Sequence, residues 1–231
     1  MTELEYQALM LSLKVGAYAV LWLIPLGVFL AWLLSRKTFF GKSILDSLIH
    51  LPLVLPPVVI GYLLLISLGR QGFLGKWLYE NLGGVVFSFN WKGGAVVACI
   101  VVALPLMVRS VRLSLDSVDP KLEHAASTLG ASPLKVFLTV TLPLTIPGII
   151  TGTMLSFARS LGEFGATISF VSNIPGETQT IPLAMYNFIE TPGAEMQAAR
   201  LCIISIALAL STLMISEWLN RKAASRLGAK Q

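Results

Sequence analysis

Five runs of apolar residues constrain this chain more than any other feature. A helix needs about 20 apolar residues to cross a hydrocarbon core about 30 Å thick. The runs cover about residues 9–34, 44–68, 94–111, 145–170 and 201–219, and the fourth ends either near Phe157 or near Phe170. With only 13% charged residues, the chain lacks the polar surface of a soluble domain. We therefore predict an all-α fold, a polytopic membrane bundle of five transmembrane helices that forms one domain over residues 1–231.

Lysine and arginine residues beside these runs predict how the chain is oriented, because cytosolic flanks are enriched in them. Eleven lie on one set of flanks: Arg36, Lys37, Lys42, Arg109, Arg112, Lys121, Lys135, Arg221, Lys222, Arg226 and Lys230. Four lie on the opposite set: Arg70, Lys76, Lys92 and Arg200. We expect a multi-pass protein of the bacterial inner (plasma) membrane, with the amino terminus outside and the carboxyl terminus in the cytosol.

Residues 119–130, between the third and fourth runs, have the pattern of a short amphipathic helix. Asp119 and Pro120 form a helix start, and Gly130 forms a stop. Four apolar residues share one face at spacings of three and four: Leu122, Ala125, Ala126 and Leu129. About eleven residues rise only about 16 Å, which is too short to cross a bilayer. We predict a short cytosolic helix, followed by a second helix start at Ser132 and Pro133. On this pattern alone, a plain connector is the favoured interpretation.

Two segments inside the apolar runs are candidates for lining a transport pathway. Prolines in the second run force its helix to bend or break, which forms either a packing kink or part of a gate. In the fourth run, Arg159 and Glu163 are four residues apart and can pair on one helix face. Ionisable groups at membrane depth normally face the bundle interior or an aqueous cavity, although a helix ending at Arg159 would place this pair at the outer rim. The predicted pathway residues are Pro56, Pro57, Ser156, Arg159, Glu163 and Thr167.

Arg109, near the cytosolic end of the third run, has two interpretations. Arginine near a helix end usually extends its charged group to the lipid headgroups, and this is the favoured interpretation. In a carrier of anions, the same side chain would help to attract the cargo to the exit.

Residues typical of an active site are missing from the sequence. A phosphate-binding Gly-x-x-x-x-Gly-Lys-Ser/Thr loop is absent, so we expect ATP hydrolysis to belong to another subunit. The two histidines, His50 and His124, form no catalytic set with a nucleophile, and Cys99 and Cys202 lack the spacing of metal ligands. The basic residues are scattered rather than clustered with aromatic residues. We expect a non-enzymatic protein without cofactor, metal or nucleic-acid partner.

The cytosolic segment resembles the EAA loop of binding-protein-dependent ABC importer permeases. The matching pattern is Ala125-Ala126, three residues, Gly130, nine residues, Val140, one residue and Leu142-Pro143. In that family the short helix docks into a groove of the ATPase subunit. The glutamate of the family pattern falls at His124 here, with Glu123 one place earlier. The resemblance implies an ATPase-docking role for Glu123, His124, Ala125, Ala126, Leu129 and Gly130.

Four further segments are similar to molybdate permease subunits: residues 50–62, 122–143, 160–168 and 173–178. The resemblance implies a homodimer with one pathway, two cytosolic ATPase subunits, a periplasmic or external oxyanion-binding protein and surrounding membrane lipid. The implied function is ATP-driven import of molybdate or tungstate. Sulfate, thiosulfate or another oxyanion is the alternative cargo, since those permeases are close relatives. An ATPase-independent secondary transporter or channel is the more distant alternative.

Overall fold

The computed structural model describes residues 1–69, 71–81 and 90–226, without the side chains of residues 224–226. Three cations that entered the orientation argument, Arg70, Lys230 and the side chain of Arg226, lie outside the described residues. Within the described ranges the regular elements are all helices, which confirms the predicted all-α fold.

The first apolar run forms one long helix, α1 (Glu3–Arg36). Its start is fixed by a reciprocal cap. The Thr2 hydroxyl accepts from the Glu5 N–H, and the Glu5 carboxylate accepts from the Thr2 N–H at 2.6 Å. This cap explains why the helix begins six residues before the predicted span at residue 9.

The second run is broken into two helices, α2 (Lys42–His50) and α3 (Pro57–Leu68), bent by 117°. A 3₁₀ turn, Leu51–Leu53, lies between them. Pro56 caps α3 and Pro57 is its first residue, where the missing N–H of proline costs no helical hydrogen bond. The predicted bend or break is confirmed, and the predicted span over residues 44–68 is corrected to this bent pair.

The third run lies in α5, after a short helix α4 (Phe73–Asn81) in the preceding loop. A π-helical turn, Trp91–Ala95, leads directly into α5 (Val96–Asp116). The helix therefore continues five residues beyond the predicted end at Val111. Of the four continuous helices long and apolar enough to cross a membrane, this one is the most buried, at 61% of its apolar window against 33% for α1.

The predicted cytosolic helix is α6 (Pro120–Thr128). Asp119 caps it by accepting from the Lys121 N–H at 2.9 Å, and Gly130 turns the chain in the left-handed region at φ +83°. Ser132 then caps α7 (Pro133–Val136), as the repeated start signal predicts. The helix has nine residues rather than about eleven because Leu129 already has a non-helical conformation.

The fourth run differs from its prediction at both ends. A π-helical turn, Phe137–Thr141, joins α7 to α8 (Leu142–Leu161), so the span begins at Pro133. It ends at Leu161, and a separate short helix α9 (Gly165–Val171) follows. The predicted span over residues 145–170 is therefore corrected, because the Glu163 carboxylate accepts from the Ala166 N–H at 2.7 Å and starts a new helix.

The last two helices complete the end predicted to be outside and the final span. They are α10 (Ile181–Glu190) and α11 (Glu195–Arg226). Arg200 on α11 lies 2.7 Å from the fully buried Glu5 carboxylate on α1, which joins the two helices at the end predicted to be outside. Among the described residues, four continuous helices long and apolar enough to cross a membrane and the bent pair account for the five predicted runs.

The core is built on three helices, since α5 packs along both α1 and α8, which also contact each other. One apolar cluster contains Leu23, Ala103 and Met107, and another contains Val15, Cys99 and Val102. The pair α3 and α9 packs on the second cluster, whereas α11 covers α8 and α10. This arrangement leaves α6 at the end of the bundle predicted to be cytosolic.

Candidate functional site

Helix α6 lies almost uncovered on the surface, and this distinguishes it from the helices of the bundle. None of its residues is buried. The Leu129 side chain that follows it is 88% exposed, and Leu122 is 49% exposed. A helix of nine residues is marginal by itself in water, and it is usually stabilised by packing of its apolar face. An exposed apolar stripe on such a helix is typical of a surface that binds another protein.

The predicted docking residues occupy two different environments. His124, Ala125, Leu129 and Gly130 are exposed, whereas Ala126 is half-buried. At Gly130, no atom lies within 4 Å of the position that a β-carbon would take, so the backbone conformation, rather than space, requires glycine. These residues therefore share one accessible end of α6.

Glu123 differs from the other docking candidates because its carboxylate is bonded within the chain. Its Oε1 lies 3.0 Å from Arg36 Nη2 and accepts from the Thr141 hydroxyl at 2.7 Å. Arg36 ends α1, and Thr141 lies immediately before α8. Neither partner was predicted from the sequence. Arg36 is 87 residues away, and no spacing rule connects them.

The second candidate site lies at the break between α8 and α9. Arg159 Nη1 is 2.8 Å from Glu163 Oε2, so the predicted pair forms, although the helix ends at Leu161. The Glu163 side chain is 1% exposed and that of Arg159 is 32% exposed. The buried carboxylate thus pairs with a cation that remains partly accessible, and its other oxygen accepts from the Ala166 N–H at the start of α9.

The start of α3, after the bend in the second run, lies against the break between α8 and α9. A β-carbon on Gly165 would lie 2.8 Å from Pro57 Cβ, so α3 and α9 approach closely there. Pro56 and Pro57 are exposed. The two prolines and the segment that contains Glu163 were predicted separately as pathway candidates. The structure brings them together.

Ser156 and Thr167, the remaining pathway candidates, lie beneath the surface. The fully buried Ser156 hydroxyl donates to the Ala103 carbonyl of α5 at 3.4 Å. Thr167 is 1% exposed, and its hydroxyl has no partner among the described residues. In this conformation both side chains contribute to packing around the break.

Arg109, on α5, is exposed. Its side chain has no carboxylate partner in the part of the chain that the structure describes, in contrast with Arg112, which lies 3.2 Å from Asp46. Leu113 is four residues away on the same face of α5 and is 75% exposed. This face of α5 therefore presents an unpaired cation at the end predicted to be cytosolic.

The sequence matches one protein family over residues 23–225, and that family is described as the binding-protein-dependent transport system inner membrane component. The chain belongs to this family. Within it, the chain is 64% identical to the molybdenum transport system permease protein ModB of Escherichia coli (strain K12), over 99% of both chains. It is 61% identical to ModB of Haemophilus influenzae, over 97% of both chains. The predicted resemblance to molybdate permeases is confirmed.

The fold of this chain is also found in solved transporters. The crystal structure of a bacterial ABC transporter that imports the acidic polysaccharide alginate contains a similar chain, with a TM-score of 0.76 and 18% sequence identity. The match covers 96% of this chain and 80% of that one. At this identity the likeness concerns the fold, and it confirms the membrane helix bundle of an ABC transporter permease.

Proposed function

We propose that this chain is the membrane-spanning permease subunit of an ATP-driven importer that carries molybdate across the inner membrane. The observation that carries this proposal is the 64% identity to a molybdenum transport permease over 99% of both chains. Tungstate has the same charge and shape and nearly the same size as molybdate, whereas sulfate is smaller, so we expect tungstate to share the pathway. Sulfate is the alternative cargo.

The exposed helix α6 supports docking of a cytosolic ATPase. Its residues have no partner helix that buries them, and the family motif lies on it. The lysine and arginine distribution favours a cytosolic position for this end of the bundle. We propose that two permease copies form one pathway, each docking one ATPase subunit through Ala125, Ala126 and Leu129. An external oxyanion-binding protein would deliver the cargo at the opposite end, and lipid would surround the assembly.

The connection between α6 and α8 suggests how ATP binding moves the pathway. After the Gly130 turn, α7, the π-helical turn and α8 form one membrane-crossing unit over Pro133–Leu161. This unit ends beside Arg159 and the break that precedes α9. Closure of the two ATPase subunits would displace α6 and tilt α8 as a rigid body. Access to the pathway would then alternate between the two sides.

The pathway itself is proposed to run past the break that Arg159, Pro56 and Pro57 line. Arg159 supplies a positive charge that the buried Glu163 partly balances, so an oxyanion is attracted without being held irreversibly. Arg109 supplies a second, unpaired cation towards the cytosol. Ser156 and Thr167 are proposed to stabilise the break by packing beneath it, since both are buried.

The test is uptake of radioactive molybdate into proteoliposomes that contain the purified permease with its ATPase and binding protein. We expect uptake that requires ATP and is inhibited by excess tungstate but not by excess sulfate. Inhibition by sulfate at equal concentration would favour the alternative cargo. Uptake by the permease alone, without ATP, would contradict the proposal and favour a secondary transporter or channel.

A further inference from the structure

Three side chains join α6 to two helices of the bundle, and they form what we call the brace: Arg36, Glu123 and Thr141. Glu123 Oε1 accepts from Arg36 Nη2 at 3.0 Å and from the Thr141 hydroxyl at 2.7 Å. Arg36 Nη2 also donates to the Leu115 carbonyl, near the end of α5, at 3.2 Å. One carboxylate and one guanidinium therefore connect α6 to the cytosolic ends of α1, α5 and α8.

Burial distinguishes the brace from an ordinary surface ion pair. The side chains of Arg36 and Glu123 are each 23% exposed, and Thr141 is 2% exposed. Charge-assisted hydrogen bonds in such a partly buried setting are screened by salt less than surface pairs are. The pair between Arg221 and Glu217 has a similar short distance, 2.7 Å, but its side chains are 79% and 62% exposed. It therefore offers a matched control.

The connections of α6 show what the brace adds. The chain itself links α6 to α5 and to α7, and none of the residues of α6 is buried. The pair between Arg36 and Glu123 connects it to α1, which packs along both α5 and α8. A displacement of α6 thus reaches α5 and α8 through the backbone, and it reaches α1 directly through this pair and indirectly through the packing of α1 on α5 and α8.

We infer that Arg36 is a positioning residue that makes α1 follow the displacement of α6 when the ATPase subunits close. This inference rests on the proposed function. Without the pair, α1 follows α6 less closely, because the movement then reaches it through α5 and α8, so the pathway opens incompletely. ATP is then hydrolysed without a proportional import of molybdate. Arg36 acts through Glu123 and is not required to touch either cargo or ATP.

The experiment compares Arg36→Gln with wild type in proteoliposomes that contain the whole transporter, and it measures molybdate imported per ATP hydrolysed. We expect the ATPase to co-purify normally and this ratio to fall about tenfold, within the usual range of coupling between sites. Arg36→Lys keeps a cation near Glu123 and should retain most of the ratio. Arg221→Gln should leave it unchanged. An unchanged ratio in Arg36→Gln, or loss of the ATPase complex, would overturn the inference.

A second measurement tests the brace without any cargo. Spin labels are placed at Leu21→Cys on α1 and Lys121→Cys on α6, in a chain carrying Cys99→Ala and Cys202→Ala. Both labelled positions are exposed. We expect a narrow distance distribution that Arg36→Gln broadens and Arg36→Lys does not. Distance distributions of equal width in wild type and Arg36→Gln would overturn the inference about the brace, even where wild-type transport is normal. A wild-type transporter that imports no molybdate would instead overturn the proposed function.

Discussion

Glu163 and Arg159 have unequal environments, although they form one ion pair 2.8 Å long. The carboxylate is buried and the guanidinium is partly accessible. Removing one partner of a buried pair leaves the other charge uncompensated, whereas removing both charges together is far less costly. The effect on stability therefore depends on which of the two charges is removed, and on whether its partner is removed with it.

We predict that Arg159→Gln lowers the free energy of unfolding by about 3 kcal/mol or more, because it leaves the buried Glu163 carboxylate without its cationic partner. Glu163→Gln should cost less, because its amide oxygen still accepts from the Ala166 N–H and Arg159 remains in contact with solvent. The double variant should be more stable than Arg159→Gln alone. The measurement is unfolding of the detergent-purified protein. Additive effects of the two changes would contradict this description of the pair.

The six pathway candidates show what local spacing can predict. Arg159 and Glu163 were paired correctly because residues four apart meet whether the helix continues or turns into a cap. Local spacing cannot predict the contact of Pro57 with Gly165, because the two residues are more than 100 positions apart and meet only when α3 packs on α9. The Arg36 partner of Glu123 was missed for the same reason.

Helices α3 and α9 approach each other through small residues. A β-carbon at Gly61 would lie 2.5 Å from the Ala166 carbonyl oxygen and 2.9 Å from Ala166 Cα. Both are backbone atoms, so a side-chain rotation cannot relieve the contact. This close approach fixes the short helix α9, and with it the position of the Glu163 cap.

We predict that Gly61→Ala destabilises the protein by about 1–3 kcal/mol, the usual effect of overpacking. It should also reduce molybdate uptake, since it separates α3 from the pathway break. Gly162→Ala is the matched control. Its β-carbon would lie 3.9 Å from the Ala158 carbonyl oxygen, and its φ of −92° suits any residue. Equal thermal stability of the two variants would show that the contact between α3 and α9 is not tight.

At the scale of elements, caps and prolines explain which boundaries could be predicted. Asp119 and Ser132 were identified as helix starts because their side-chain oxygens suit the first turn. The end of the fourth span was left open between Phe157 and Phe170, because apolar residues continue past Leu161 and hydropathy does not detect the contact of Glu163 with the Ala166 N–H. The lengths of the apolar runs therefore predicted how many spans the chain has better than where each span begins and ends.

For the molecule as a whole, orientation decides whether α6 can meet an ATPase. The predicted arrangement places the amino terminus outside and the carboxyl terminus in the cytosol. A fluorescent protein that folds only in the cytosol, fused after Gln231, should therefore fluoresce. Cells that carry the same reporter before Met1 should remain dark. The opposite pattern would place α6 outside and would contradict its docking role.

The most direct test of the account is co-purification of the detergent-extracted permease with its ATPase. Four proteins are compared: wild type, Leu129→Arg at the exposed end of α6, Ala126→Arg on α6, and Ile174→Arg as an exposed control at the opposite end of the bundle. Leu129 is 88% exposed, so its replacement removes little internal packing. We predict that Leu129→Arg and Ala126→Arg lose the ATPase, whereas wild type and Ile174→Arg retain it. Equal recovery in all variants would mean that α6 is only a connector, and it would favour the alternative of an ATPase-independent transporter.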